Sequence, residues 1–285
     1  MARVALVLSV LASMFMVGPA QAAPICFGQR ATIVGTNGSD TLRGTDGADV
    51  IFSMSGNDRI IGGGGKDRIC SGDGNDVVKA GSGDDKVFGS TGVDRIYGGR
   101  DDDELFTGGA NSREYEQLEG GPGNDRMNGD SNPDLMDGGP GSDVLRGGGA
   151  LLDRFDDLSG GLGDDEVYGG SESMVAGGQG SDFLSGATVS FEAATGAVEV
   201  DLVQRTAKGE GNDELDGVVN IIGSSYDDIL SGDGLENSIQ GGDGDDEING
   251  ADGSDTLTGE TGTDDIDGGF GIDSCDGESE FNCET

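Results

Sequence analysis

The chain alternates Gly-rich polar hexapeptides with three-residue apolar segments, and this alternation has a period of nine residues. Repeats that begin at residue 35 and step by nine place Asp sixth and an aliphatic residue eighth, eight times in succession. Glycine at alternate positions permits the positive φ angles of tight turns, and triplets such as Val-Ile-Phe at 50–52 favour strands. Each repeat is therefore predicted to form one turn followed by one short strand.

Strands of three residues are not stable alone, so the repeats must stack on one another. Two nonapeptides make one coil, in which every strand pairs in parallel with the equivalent strand of the next coil, about 4.8 Å away. The eighth residue of each repeat then points inward, and the seventh and ninth point outward. The pattern predicts an all-β fold: a right-handed parallel β-solenoid, or β-roll, with two nonapeptides per coil and a narrow aliphatic core.

The regularity of the repeat changes along the chain and predicts a division into segments. The period is strict at first, then loosens with two lengthened repeats (107–119 and 147–159), is lost, and finally resumes. Where the period is lost, apolar and polar residues alternate as in a pair of strands. The predicted segments are a signal peptide at 1–22, an N-terminal cap at 23–34, regular repeats at 35–106, irregular repeats at 107–185, spacer strands at 186–222, a second regular block at 223–276 and a C-terminal cap at 277–285.

The acidic composition raises the question of how such a chain can fold. It contains 58 Gly, 56 Asp and Glu, 16 Lys and Arg and no His, for a formal charge of −40. This composition alone is typical of disordered chains, but a fixed repeat is typical of stacked architectures. Stacking places the acidic sixth residues in rows a few ångströms apart, and their repulsion opposes folding. Bound cations would remove that repulsion.

The residue types favour calcium as the cation. Calcium takes six to eight oxygen ligands from carboxylates and carbonyls, whereas magnesium demands a tighter octahedron and retains its water. Zinc and copper prefer nitrogen or sulfur ligands. We therefore expect several Ca²⁺ ions between stacked turns, folding driven by their binding, and affinities of about 10⁻⁴–10⁻³ M. The predicted ligands are the sixth-position residues Asp40, Asp49, Asp58, Asp67, Asp76, Asp85, Asp94, Asp103, Asp125, Asp134, Asp143, Asp165, Asp182, Asp228, Asp246, Asp255, Asp264 and Asp273.

Residues 1–22 have the features of a secretory signal. Arg3 precedes an apolar run at 4–17 that is too short to span a membrane as a helix, and Ala20-Gln21-Ala22 fits a signal peptidase site. We therefore expect a secreted protein that is extracellular or associated with the cell surface.

Four cysteines in an exported chain predict disulfides. Three pairings are possible, and the positions near the two chain ends favour Cys26–Cys70 and Cys275–Cys283. A metal site made only of Cys is the alternative, although the chain contains no CxxC motif.

The composition also argues against catalysis. Without His the chain has neither a Ser-His-Asp triad nor an HExxH zinc motif, and it has no GxSxG motif. Paired carboxylates leave a sugar-cleaving or epimerising site open, but aromatic residues that line sugar sites are few. The net charge argues against nucleic acid and anionic membranes as partners, which leaves cell-wall material, a polysaccharide or a protein.

One outward column of side chains is apolar. Phe52, Cys70, Phe88 and Phe106 occupy the ninth position of every second repeat, so they form a stripe on one face of the predicted roll. The stripe is either a docking surface or is covered by residues 23–34, drawn back by a Cys26–Cys70 bridge so that Ile25 and Phe27 cap it. The equivalent column on the opposite face contains Arg43, Ile61, Lys79 and Tyr97 and predicts a solvated surface.

The repeat itself resembles a known motif. The segment GGDGDDEIN at 241–249 matches GGxGxDxUx, where U is a large aliphatic residue, and SGDGNDVVK at 71–79 differs only in the opening Gly pair. The chain thus resembles the repeats-in-toxin (RTX), or haemolysin-type, calcium-binding proteins over residues 35–276. The resemblance implies a parallel β-roll with calcium between turns, held by the sixth-position Asp residues.

Two features differ from many members of that family. The expected signal is N-terminal and cleavable rather than an uncleaved C-terminal one, and we expect no attached toxin, protease or lipase domain. We expect a secreted, calcium-dependent β-roll that acts as a structural or surface-associated module, the alternative being a calcium-dependent adhesin for a polysaccharide or protein.

Overall fold

A computed structural model describes residues 23–109, 114–148, 155–277 and 279–283. The predicted signal peptide lies outside these residues, as do parts of the two lengthened repeats. In the described part of the chain every regular element is a strand. Within the same residues, no helical segment has the length and hydropathy of a membrane span. The fold is a parallel β-solenoid, which confirms the predicted fold class.

The strands are short, as expected from three apolar residues per repeat. They are β1 (Ile25–Cys26), β2 (Gln29–Arg30), β3 (Ile33–Val34), β4 (Thr41–Arg43), β5 (Val50–Phe52), β6 (Arg59–Gly64), β7 (Arg68–Cys70), β8 (Val77–Ser82), β9 (Lys86–Ser90), β10 (Arg95–Arg100), β11 (Glu104–Gly108), β12 (Glu116–Glu119), β13 (Arg126–Asn128), β14 (Asp134–Pro140), β15 (Val144–Arg146), β16 (Asp157–Leu162), β17 (Glu166–Tyr168), β18 (Met174–Gln179), β19 (Phe183–Ser185), β20 (Thr188–Ser190), β21 (Glu199–Asp201), β22 (Thr206–Lys208), β23 (Asn212–Asp216), β24 (Asn220–Ile222), β25 (Ile229–Ser231), β26 (Ser238–Asp243), β27 (Glu247–Asn249), β28 (Asp252–Gly253), β29 (Thr256–Thr261), β30 (Asp265–Asp267), β31 (Phe270–Gly271), β32 (Ser274–Asp276) and β33 (Ser279–Phe281).

Two long sheets face each other along the solenoid. One has 13 strands and runs from β4 through the even-numbered strands to β20, then through β24, β26 and β29 to β32. The other has 16 strands and runs from β3 through the odd-numbered strands to β19, then to β33. From β3 to β20, successive strands of the chain therefore alternate between the two sheets, as two repeats per coil require.

The register aligns the eighth residues of successive coils. Ile60 pairs with Val78, its equivalent in the next coil. Across the first lengthened repeat the pairing is Ile96 with Leu118, an interval longer by four positions. The strand register is therefore unaffected by the four added residues.

These inward residues form one continuous aliphatic core. From Ile51 to Ile266, almost every coil contributes a fully buried aliphatic side chain from each sheet. Full burial of one such side chain is worth about 1.5–3 kcal/mol. Each strand contributes only one inward side chain per repeat, so the core is narrow. The stability of the roll therefore also depends on the interactions of the polar residues in the turns.

The predicted spacer at 186–222 is built into the solenoid. Its strand β20 continues the 13-stranded sheet between β18 and β24. In the other sheet, β22 pairs antiparallel with both β21 and β23, so the chain makes an S-shaped excursion. Because β23 pairs in parallel with β19, and β21 with β25, the two repeat blocks remain in one core.

The N-terminal cap is a hairpin fixed over the apolar stripe. Strands β1 and β2 join through Phe27 and Gly28, which both have positive φ, and Cys26 forms a disulfide with Cys70. The Phe27 ring centroid lies 6.3 Å from that of Phe106. The prediction that Ile25 also caps the stripe is wrong: the residue is 63% exposed, because neighbouring residues of a strand point to opposite faces and Cys26 faces the roll.

The C-terminal end is closed by the second disulfide, between Cys275 and Cys283. Between these cysteines, β33 pairs in parallel with β30 and so extends the 16-stranded sheet. The predicted cap is therefore the last strand of the solenoid, held to the preceding strand β32 by a covalent bond.

Candidate calcium sites

The sixth-position Asp side chains form a hydrogen-bonded ladder along each edge of the roll. The backbone N–H of Asp58 donates to Oδ1 of Asp76 over 2.7 Å, and that of Asp67 donates to Oδ1 of Asp85 over 2.7 Å. The same contact spans the first lengthened repeat, from Asp103 to Asp125. Each buried carboxylate is therefore oriented by the preceding coil through one of its two oxygens.

Within the described residues, the second oxygen of most ladder carboxylates is buried and has no hydrogen-bond donor. Leaving a buried polar atom unpaired costs about 1–3 kcal/mol, and more for a charge. Repeating this cost along a whole edge indicates that the oxygens have another partner. The atoms are the Oδ2 oxygens of Asp58, Asp67, Asp76, Asp85, Asp94, Asp103, Asp125, Asp143, Asp165, Asp182, Asp246 and Asp255.

Burial shifts the proton affinities of these groups strongly. Desolvation raises the pKa of Asp76 and Asp85 to about 7, and that of Asp94 and Asp103 to about 8, although the backbone hydrogen bond from the preceding coil lowers it in each case. For Asp134, burial raises the pKa to about 9, with further increases from neighbouring carboxylates. The charged forms are therefore unfavourable without a counter-charge at the turns.

The glycines leave space beside these oxygens. A Cβ on Gly62 would lie less than 3.0 Å from Oδ2 of Asp67 and from the carbonyl oxygen of Ala80 in the next coil. Gly81 has a φ of +127°, and a Cβ there would meet the carbonyl oxygen of Gly63 in the preceding coil. At Gly62 and Gly81 a side chain would collide with these atoms, so the glycines keep oxygen atoms accessible on both sides of the gap between coils.

The donor set of one gap shows what these spaces can hold. Between successive coils lie the carboxylates of Asp67 and Asp85, the carbonyl of Ala80 directed toward the earlier coil, and those of Gly63 and Gly65 directed toward the later one. In the described residues no three acidic, His or Cys side chains form a metal cluster, so side chains alone do not make a site. Carboxylate pairs combined with carbonyl oxygens are the ligands that calcium prefers, and the residues fit this ion.

Three predicted ligands at the starts of the two blocks are arranged differently. Oδ2 of Asp49 accepts hydrogen bonds from the backbone N–H (2.7 Å) and hydroxyl (2.8 Å) of Thr45, and Thr36 makes the same pair of contacts with Asp40. At Asp228 the donor is Ser224. In most other repeats the second residue, usually Gly, has a positive φ, so its N–H is directed elsewhere. At these three positions hydroxyl residues supply donors to the carboxylate.

Asn237 replaces the carboxylate in one repeat. Its Oδ1 accepts from the N–H of Asp233 over 2.8 Å, and its Nδ2 donates to the carbonyl of Val219 over 2.8 Å. An amide N–H₂ group cannot bind a cation, and here it uses a carbonyl of the preceding coil. This position is therefore closed by hydrogen bonds.

The remaining predicted ligands, Asp134, Asp264 and Asp273, are also buried and lie in the two ladders. Asp134 differs because its N–H donates to Asp156 over 3.1 Å and its Oδ2 accepts from the N–H of Asp130 over 3.2 Å.

The ladders contain acidic residues that the strict nine-residue period missed. Glu116, Asp156 and Asp213 are buried, and each lies two residues before an inward aliphatic residue, as the other ladder residues do. Desolvation raises the pKa of Glu116 and of Asp213 to about 7. Asp182 donates its N–H to Oδ1 of Asp213 across 31 residues. Spacing from the aliphatic residue, in place of the period, would have identified all three.

Fold and site together define a class: a parallel β-roll with rows of buried carboxylates between Gly-rich turns. Comparison with known families agrees, because more than half of the chain matches the RTX calcium-binding nonapeptide repeat. The matching segments are 34–69, 44–78, 71–105, 79–112, 119–150, 153–172 and 240–275. The chain belongs to this family, whose repeats bind Ca²⁺.

Comparisons with whole proteins are less informative. None of the curated proteins matches the chain. A solved structure with some similarity is the X-ray crystal structure of a hyperactive, Ca²⁺-dependent, beta-helical antifreeze protein from an Antarctic bacterium, with 19% sequence identity and a TM-score of 0.25. The alignment covers 89% of this chain and 62% of that chain, so the chain spans less than two thirds of its length.

Proposed function

We propose that this chain is a secreted calcium-binding β-roll that folds when calcium enters the gaps between its coils, and that it serves as a structural or surface-associated module without catalytic activity. The observation that carries the proposal is the row of buried Asp Oδ2 atoms without donors, such as those of Asp67 and Asp85. Each calcium ion would offset the repulsion between two carboxylates and bind carbonyls of both coils. Calcium binding and folding are then one process.

The proposed location rests on independent features. Residues 1–22 have the pattern of a cleavable signal, and two disulfides are consistent with an oxidising compartment. Extracellular calcium modules bind at about 10⁻⁴–10⁻³ M, so the chain would stay unfolded in a cytosol poor in calcium and fold after export. N-terminal sequencing of protein from the culture medium tests this: we expect Ala23 as the first residue, and a retained residue 1 contradicts it.

The folding proposal is tested by far-ultraviolet circular dichroism of the purified protein during a calcium titration, with magnesium as control. We expect a cooperative increase of β signal at about millimolar calcium and none with magnesium, because magnesium demands tighter geometry. A full β signal in the presence of a chelator would show that the aliphatic core and disulfides suffice to fold the chain.

A second candidate function, a calcium-dependent adhesin, is supported by a group of exposed cations on one sheet. Recovery of the protein on cell-wall material, compared with calcium and with chelator, tests it in general form. Equal recovery in both conditions would eliminate the adhesin.

A further inference from the structure

Four cations lie in an ordered row on the outward face of the 13-stranded sheet. We call this surface the cationic face, and it consists of Arg43, Arg59, Lys79 and Arg95 on β4, β6, β8 and β10. The strand register places Arg43 beside Ile61, Ile61 beside Lys79, and Arg59 between Thr41 and Val77. Each of the first four coils therefore presents one cation, and the cations alternate between the seventh and ninth columns of the repeat.

This alternation gives the cationic face a regular geometry. Within a column, the two cations are two coils apart, which is about 10 Å. From Arg43 to Arg95 the row extends over three strand spacings, or about 14 Å along the roll axis. Ile61, Val77 and Tyr97 fill the positions between the cations and are half-buried. The surface is thus a flat strip of charge and apolar contact without a cavity of its own.

Among the residues that the structure describes, the cations of this face form no ion pair. All four are exposed, and the ion pairs among the described residues involve other side chains. Lys79 instead lies over the ring of Tyr97, with Nζ 5.2 Å from the ring centroid. In the next coil the ninth column continues with Glu119, so the cationic face ends at Arg95. Although the chain has 56 acidic residues, these four cations have no acidic partner in the described part of the chain and are available to an external one.

Calcium would change the sign of the field around this face. Residues 35–106 contain eight basic and fourteen acidic side chains, a net charge of −6. Of the six gaps between their stacked turns, two contain carboxylates that already accept hydrogen bonds from Thr36 and Thr45. About four to six ions would then change the net charge of the segment to between about +2 and +6. Charges further than about 8–10 Å away are largely screened at physiological salt, so the acidic C-terminal half does not cancel this field. The face is therefore attractive to anions only in the calcium-loaded roll.

We propose that the cationic face binds a linear anionic polysaccharide, and that it does so only when the roll is loaded with calcium; this rests on the calcium-driven folding proposed above. The partner is linear because the cations form a row along the roll axis. It is a polyanion because no single small anion reaches four cations spread over about 14 Å. Its sugar rings have apolar faces that pack on Ile61, Val77 and Tyr97.

Nucleic acid fits this surface less well. Single strands are held by successive bases stacked on several aromatic side chains, and the cationic face has Tyr97 alone. Duplexes are held by many phosphate contacts, commonly about 6–10, whereas this face offers four cations. A polysaccharide requires neither feature.

The test uses dextran sulfate as the probe, because it is a linear polyanion, and uncharged dextran as its control. Binding of the purified full chain is measured by biolayer interferometry in calcium and in chelator. We expect binding to dextran sulfate in calcium alone and none to dextran. In the variant Arg59→Gln/Lys79→Gln/Arg95→Gln, we expect affinity to fall about tenfold or more, since three of the four charge contacts with the polyanion are removed.

A matched variant separates this face from the charge of the segment as a whole. Lys66→Gln/Arg68→Gln/Lys86→Gln removes the same charge from the same segment, but Arg68 and Lys86 lie on the other sheet and Lys66 lies in a turn. We expect this control to weaken binding by less than about threefold. Equal losses in the two variants would overturn the proposal, because binding would then follow segment charge and not the face.

Circular dichroism of the same samples distinguishes the two levels of the argument. If calcium folds the chain but dextran sulfate does not bind, the inference fails and the proposed function stands. If calcium has no effect on folding, the proposed function fails, and the calcium-dependent binding inferred from it fails as well. Equally tight binding of duplex DNA, lost in the same triple variant, would replace the polysaccharide with nucleic acid and so also overturn the inference.

Discussion

The backbone N–H of Asp49 donates a hydrogen bond to Oδ1 of Asp67, one coil further along the roll, over 2.8 Å. The other oxygen of Asp67 is buried and meets no donor. The two oxygens of this one side chain therefore have different roles, one in the fold and one in the proposed calcium site. One oxygen holds the register of the coils, and the other remains available to a cation that neutralises the edge.

Substitution of a ladder carboxylate should weaken calcium-driven folding. In Asp67→Asn the side chain keeps its size but loses the charge that would bind calcium in its gap. We expect the calcium midpoint of folding, measured by circular dichroism, to rise about tenfold. The control is Asp73→Asn, since Asp73 is acidic and exposed in a neighbouring turn. Equal shifts in both variants would show that only overall charge matters.

Asn237 offers the converse experiment. In Asn237→Asp the donor to the Val219 carbonyl is replaced by a carboxylate oxygen, which restores the ligand pattern of the neighbouring repeats. We expect the variant to bind one or two more calcium ions, because calcium affinity follows the number of charged ligands, and to unfold in chelator at least as readily as the parent. Equilibrium dialysis with ⁴⁵Ca²⁺ counts the ions. An unchanged stoichiometry would mean that the carbonyl geometry at this gap does not accept calcium.

The buried carboxylates predict how the calcium-free roll responds to pH. Burial raises the pKa of Asp94 and Asp103 from the ordinary 3.8 to about 8, so the folded state binds protons more tightly than the unfolded chain. Their contribution to stability is therefore fully present below about pH 4 and is lost as the pH rises through about 8. We expect the protein in chelator to show more β signal, and a higher urea midpoint, at pH 5 than at pH 8. Greater stability at pH 8 would contradict the burial of these groups.

Two glycines provide a matched test of the space beside the carboxylates. In Gly62→Ala the new Cβ would lie less than 3.0 Å from Oδ2 of Asp67 and from the Ala80 carbonyl. In Gly38→Ala the nearest atom is Thr36 Oγ1 at 4.0 Å. Neither glycine has a positive φ, so backbone strain does not distinguish them. We expect Gly62→Ala to raise the calcium midpoint several-fold and lower the thermal midpoint by about 5 °C or more, with Gly38→Ala near neutral. Similar effects of the two substitutions would mean that they act through the conformational entropy of the unfolded chain and not through the space beside Asp67.

The nine-residue period made much of this protein predictable. Because every repeat presents the same local signals, the sequence alone indicates the turns, the strands, the inward aliphatic residues such as Ile60, and the two rows of Asp. Stacking of identical units leaves little choice of topology, so the parallel roll with two repeats per coil followed directly. Favouring the Cys26–Cys70 pairing required only the positions of the cysteines near the chain ends.

Other properties depended on contacts between residues far apart in sequence, which only the tertiary structure decided. Asp213 joins the ladder because the S-shaped excursion returns it beside Asp182, 31 residues away, and no fixed period could locate it. Asn237 closes its gap through the carbonyl of Val219, which lies one coil earlier and 18 residues away in sequence. The cationic face likewise arises from two columns that the parallel register brings side by side. Sequence periodicity specifies what each repeat does locally, whereas the pairing of distant strands specifies which atoms are left without partners.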